Sequence, residues 1–163
     1  MHVTSYLSDG EVAQDVGQFR LMAVDDNEDC SELIVRTAVK CGYEAFPLSD
    51  ARSLSETISR WRPHVITLDL CLPEFDGFEI LSLLKTIQFG GHLIIISAQS
   101  EDLRDQALKL ASSHGLRVLT HMSKPIHLGQ LRELLTTIKE SLSQSVLDQF
   151  DSAASQPAEK PYQ

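Results

Sequence analysis

The chain has 163 residues, 42% hydrophobic and 23% charged, with a formal net charge of -9, which allows one well-buried core and excludes two ordinary domains. No Lys/Arg cluster stands out, so direct binding to a nucleic-acid backbone is excluded, and apolar runs such as Leu93 to Ile96 fall far short of the ~20 residues that span a bilayer. The N-terminus has no apolar stretch of signal-peptide length, and Cys30, Cys41 and Cys71 show no C-x-x-C spacing, which fits reduced thiols in a cytoplasmic protein better than disulfides or zinc.

Residues 1–19 read as a flexible extension in which Val12, Val16 and Phe19 share a helical spacing. From Arg20 onward, short apolar runs alternate with stretches of helical period, the pattern of a parallel sheet wrapped by helices. The first strand, Leu21 to Val24, leads to a helix that Asn27 caps and Gly42 ends, with Leu33, Ile34, Thr37, Ala38 and Cys41 on one face. The second strand, Glu44 to Leu48, precedes a helix with Leu54, Ile58 and Trp61 inward, stopped by Pro63. After the third strand, Val65 to Leu68, a helix opens at Gly77, carries Phe78, Leu81, Leu84 and Ile87, and is closed by Gly90-Gly91. The fourth strand, Leu93 to Ile96, is followed by a helix capped by Ser100, with Leu103, Ala107 and Leu110 inward. A fifth strand, Leu116 to Leu119, precedes a helix using Leu128, Leu131, Leu135, Ile138 and Leu142. The domain therefore covers residues 20–142, and 143–163, polar and without sustained period, read as a disordered tail.

An open parallel sheet gathers its chemistry at the carboxyl ends of its strands. Strand one ends in Asp25-Asp26, strand three in Asp69, strand four in Ser97, and strand five is followed by Lys124-Pro125. Taken singly, each is an ordinary turn or cap residue. Together they place three carboxylates at one edge, where a like-charged pair ~4 Å apart costs about 4 kcal/mol at an effective dielectric near 20. Positive charge is required there. Oxygen ligands suit Mg²⁺ or Mn²⁺, and Lys124 supplies a second cation. A carboxylate beside two such charges can attack phosphorus and become an aspartyl phosphate.

The segments VDDNED at 24–29, VITLDLCLPEFDGFEIL at 65–81, IIISAQ at 94–99 and SKPI at 123–126 resemble the receiver domains of two-component response regulators. The resemblance implies a flavodoxin-like (βα)5 fold, doubly wound, of the chemotaxis-regulator kind. It implies that Asp69 is the phosphoacceptor, that Asp26 binds the metal directly and Asp25 through water, and that Cys71 lends its backbone carbonyl. Ser97 matches the switch hydroxyl, Lys124 the phosphate-pairing lysine, and Pro125 the proline after a cis peptide bond. Cys71 and Gln99 match positions that tune the attacking water.

The chain departs from the family in two places. The aromatic switch position three residues before the lysine is His121, which titrates near neutrality. The 27 positions between Ser97 and Lys124 also exceed the usual spacing, so the fourth helix or its exit loop is expected to be longer.

The leading expectation is a stand-alone signalling module rather than an enzyme. It would be phosphorylated by a histidine kinase or phosphotransfer protein, would act on a downstream protein partner, and could form a homodimer. Two other classes compete with it. A degenerate receiver would act as a constitutive interaction module, and a phosphatase of the haloacid-dehalogenase kind would need a second acid where this chain has Cys71.

Overall fold

The computed structural model describes residues 18–155. Its elements are β1 (Arg20–Val24), α1 (Glu28–Lys40), β2 (Glu44–Leu48), a 3-10 turn (Ala51–Ser53) leading into α2 (Leu54–Trp61), β3 (Val65–Leu68), α3 (Gly77–Thr86), β4 (His92–Ser97), α4 (Glu101–Ser113), β5 (Arg117–Ser123) and α5 (Leu128–Ala154). All neighbouring strands pair in parallel, in the order β2-β1-β3-β4-β5. This is the expected doubly wound sheet, and its winding reverses between β1 and β3.

Burial explains the order. Every residue of β3 is buried, as a central strand covered on both faces requires. The edge strand β2 buries only Leu48 and accommodates Pro47, which can supply no ladder hydrogen bond. Alternate residues of the central strands feed two cores. Met22, Val24, Ile66 and Leu68 pack with Leu54, Leu81, Leu84 and Ala107 of α2, α3 and α4. Leu21, Ala23 and Val65 pack with Ile34, Leu131, Leu135 and Ile138 of α1 and α5. Each fully buried aliphatic side chain contributes roughly 1.5–3 kcal/mol.

Helix starts follow their capping residues. The Asn27 side chain accepts from the Cys30 N–H, and that of Ser100 from the Leu103 N–H. Asp76 and Glu79 form a complete capping box at α3. Leu33, expected inward, is 42% exposed, because the buried stripe of α1 runs through Ser31, Ile34, Thr37 and Ala38. Helix α3 stops earlier than the Gly90-Gly91 pair suggests, with Gln88 in the left-handed region (φ 55). Gly77 is required for a different reason. A Cβ there would stand 2.6 Å from the Leu70 Cα, so Gly77→Ala should cost about 1–3 kcal/mol in urea unfolding.

Two expectations need correction. Strand five does not end at Leu119 but runs to Ser123. Leu93 pairs with Val118 while Ile94 pairs with Thr120, so Leu119 is an extra, bulged residue that resets the in-out alternation. Val118 packs on the α4 side and Met122 on the α5 side, and the reset turns His121 towards α4. The long Ser97–Lys124 spacing is thus partly absorbed inside β5.

The tail is the second correction: α5 continues to Ala154, so 143–154, read as disordered, is helical. SQSVLDQFDSAA contains neither Gly nor Pro, and Gln144 bonds Asp148 one turn on at 2.8 Å. Leu147 and Phe150 remain 57% and 50% exposed. With no core beneath it among the described residues, this stretch shows no apolar period. Residues 1–17, with Val12 and Val16, and 156–163 lie outside the described residues.

Two histidines at the opposite edge of the sheet make stability depend on pH. His64 Nδ1 accepts from the Arg20 N–H at 3.0 Å, while His92 Nδ1 is buried without a hydrogen-bond partner. Burial, helped by Arg20 and Arg117 respectively, holds both below the ordinary value of 6.5. The unfolded chain therefore takes up protons first, and stability is lost as pH falls from about 6.5 towards the folded-state values. Urea midpoints should drop between pH 7.5 and 5.5, and His92→Phe should flatten the slope.

Candidate functional site

Backbone hydrogen bonds continue past the strand ends and fix where the polar residues stand. The Asp25 N–H donates to the Leu48 carbonyl at 3.2 Å, that of Asp69 to Val24 at 2.9 Å, and that of Lys124 to Ser97 at 3.1 Å. These bonds bring Asp25, Asp26, Asp69, Ser97 and Lys124 to one edge. Oxygen atoms of Asp25, Asp26 and Asp69 all lie within 4.8 Å of one another. Asp25 and Asp69 are buried, Asp26 is exposed, and Ser97 is fully buried.

Lys124 Nζ donates to Asp25 Oδ2 at 2.8 Å and to Asp69 Oδ2 at 2.9 Å. The second oxygen of each acid is held by backbone. Asp25 Oδ1 accepts from the Asn27 N–H at 2.9 Å, and Asp69 Oδ1 from the Cys71 N–H at 3.1 Å. Burial pushes the Asp25 carboxyl above its ordinary range against the pull of Lys124 and the Asn27 N–H. Burial alone would lower Lys124, but its hydrogen bonds and proximity to Asp25 and Asp69 outweigh it and hold the ammonium above the usual lysine range. Lys124 therefore stays charged.

Three carboxylates around one ammonium leave two negative charges uncompensated. An all-oxygen set with that surplus, one member reaching solvent, fits a hard divalent cation and does not fit zinc. The peptide bond from Lys124 to Pro125 is cis. Cys71 is exposed and pairs across the β3–α3 loop with Asp76. It also lines, with Phe75, Phe78, Gln99 and Leu103, a cleft that opens two residues from Asp69.

His121 lies outside the acidic cluster. Its Nε2 is 2.7 Å from Asp105 Oδ1, and its Nδ1 accepts from Arg104 Nε at 3.3 Å. With Nδ1 accepting from Arg104, Nε2 is the nitrogen that donates to Asp105. Arg104 Nη1 also donates to the Gln99 carbonyl at 2.6 Å. The sequence gives no hint of Arg104 or Asp105. Both belong to an ordinary charged helix face, and only the bulge at Leu119 brings them opposite His121.

Residues 21–136 match the family described as the response regulator receiver domain. Sporulation initiation phosphotransferase F of Bacillus subtilis is 28% identical over 115 residues, covering 70% of this chain and 88% of that protein. A response regulator from Colwellia psychrerythraea superposes with a TM-score of 0.68 at 26% identity, over 77% of this chain and 99% of that one. Chemotaxis protein CheY4 of Vibrio cholerae shares the fold, with a TM-score of 0.63 at 21% identity over 75% and 99% of the two chains. With five parallel strands in the order 2-1-3-4-5 and an acidic cluster at their carboxyl edge, the chain belongs to the response regulator receiver family.

Proposed function

We propose that this protein takes a phosphoryl group on Asp69 from a phosphohistidine of a histidine kinase or phosphotransfer protein, with Mg²⁺ present. The observation that carries this reading is Lys124, held between the buried carboxylates of Asp25 and Asp69. The Asp69 carboxylate attacks phosphorus, and the P–N bond to the donor imidazole breaks. Its electron pair returns to the ring nitrogen, which is reprotonated from solvent. Lys124, already within hydrogen-bond distance of Asp69, turns its charge to the oxygens of the arriving group. The Cys71 N–H steadies the Asp69 oxygen it already binds, and Ser97 offers its hydroxyl to the product. Asp25, Asp26, Asp69 and the Cys71 carbonyl would hold the cation, whose charge offsets that of the transferring phosphoryl.

Cys71 and Gln99 border the path of a hydrolysing water, and neither is a strong base, so the phosphorylated form should be long-lived. Output passes through altered contacts with a downstream protein or a second copy. Three free cysteines accord with a cytoplasmic setting. Incubation with phosphoramidate and Mg²⁺ should add one phosphoryl group per chain, stable in acid, labile in base and prevented by chelation. No uptake under these conditions would refute the proposal.

A further inference from the structure

We infer that Arg104 is a positioning residue for Ser97 and links the acceptor pocket to His121; this rests on Asp69 being the phosphoacceptor. An unbroken run of hydrogen bonds supports it. Ser97 Oγ accepts from the Gln99 N–H at 3.2 Å, the Gln99 carbonyl accepts from Arg104 Nη1 at 2.6 Å, Arg104 Nε donates to His121 Nδ1 at 3.3 Å, and His121 Nε2 meets Asp105 Oδ1 at 2.7 Å.

The directions of these bonds matter. Ser97 is fully buried, and its oxygen is used as an acceptor by Gln99, so the hydroxyl can still donate its own proton. It has no acceptor for that proton among the described residues. A phosphoryl oxygen on Asp69 would provide one, and the Gln99 N–H fixes the oxygen from which the proton is aimed. Gln99 sits in the short link between β4 and α4, where no strand ladder holds it. Its fixed point is the charge-assisted bond from Arg104.

Arg104 is in turn oriented by His121, whose accepting Nδ1 takes Nε while Asp105 holds the far side of the ring. The planar guanidinium meets the Gln99 carbonyl through Nη1 and His121 Nδ1 through Nε, two separate nitrogens in a fixed fork whose reach the single nitrogen of a lysine does not reproduce. Arg104 therefore ties β5 to the β4–α4 link, doing with two polar bonds what a lone His121 could not. Because coupling is reciprocal, a group bound at Asp69 should alter the environment of the His121 ring through Arg104.

The test uses the full chain with Mg²⁺ and beryllofluoride, a phosphoryl mimic, measuring affinity by ¹⁹F NMR and the His121 ring by ¹H–¹⁵N correlation. Arg104→Met should weaken beryllofluoride binding roughly tenfold, the size expected from losing one charged hydrogen bond in part. Arg104→Lys, which can still reach the Gln99 carbonyl, should recover most of the affinity without restoring the His121 response. In a Ser97→Ala background Arg104→Met should change affinity by less than about twofold, because the group it positions is gone. Equal losses in both backgrounds, no loss, or tighter binding would each overturn the inference. Failure of the wild-type chain to bind beryllofluoride would instead refute the phosphoacceptor reading, and the inference with it.

Discussion

Asp69→Asn chains should take up no phosphoryl group from phosphoramidate and Mg²⁺ while keeping their fold. The amide oxygen of Asn can still accept from the Cys71 N–H, now 3.1 Å from Asp69 Oδ1, so the local turn survives. Lys124 keeps its contact with Asp25 at 2.8 Å, and one of three crowded negative charges disappears. Thermal stability should therefore stay within about 1 kcal/mol of wild type, since the fall in like-charge repulsion offsets the loss of the Lys124 bond to Asp69 Oδ2. Loss of uptake with stability so little changed separates chemistry from folding. Uptake that persists in this variant would place the acceptor elsewhere.

Lys124→Met should have the largest effect on stability. It removes the cation between two carboxylates whose side chains are only 2% and 6% exposed. Stripping one partner from a buried pair costs about 3–5 kcal/mol, because the remaining charge is left desolvated and unpaired. Urea unfolding at pH 7 should show that deficit. The pH dependence gives a second readout. The Asp25 carboxyl already lies above its ordinary value of 3.8 in the fold, through burial, and without Lys124 only the Asn27 N–H pulls it back. An acid whose folded value is raised costs stability when ionised and returns it as pH falls. The deficit of Lys124→Met relative to wild type should thus narrow as pH falls from 7 towards the ordinary carboxylate value. A constant deficit would show that lost packing, not unpaired charge, is responsible.

What could be read from the sequence is what burial dictates. Val65 to Leu68 is legible as a central strand because both of its faces are buried, and the start of α1 is legible because Asn27 caps it. The acids could be placed at one edge because parallel topology leaves the strand ends no other place. The structure brings together Asp25, Asp26, Asp69, Ser97 and Lys124 as that topology implies.

The missed features lack such a signal. Among the described residues the outer turns of α5 cover nothing, so Leu147 and Phe150 give no period to read. The bulge at Leu119 changes the facing of every later residue in β5 without marking the sequence. For that reason the surroundings of His121 could not be derived: one inserted residue decides whether it meets α4 or α5. Arg104 and Asp105, which hold it, look like solvated charges until the strand register is known.

The central claim is that the phosphoryl group is carried by one carboxylate, Asp69. Reduction with borohydride distinguishes this directly, since hydride converts an acyl phosphate to an alcohol with release of phosphate, turning a phosphorylated aspartate into homoserine. After phosphorylation with phosphoramidate and Mg²⁺, peptide mass spectrometry should find homoserine at position 69 and aspartate at positions 25 and 26. Homoserine at another position, or a phosphate that survives borohydride on a histidine or serine, would contradict the account.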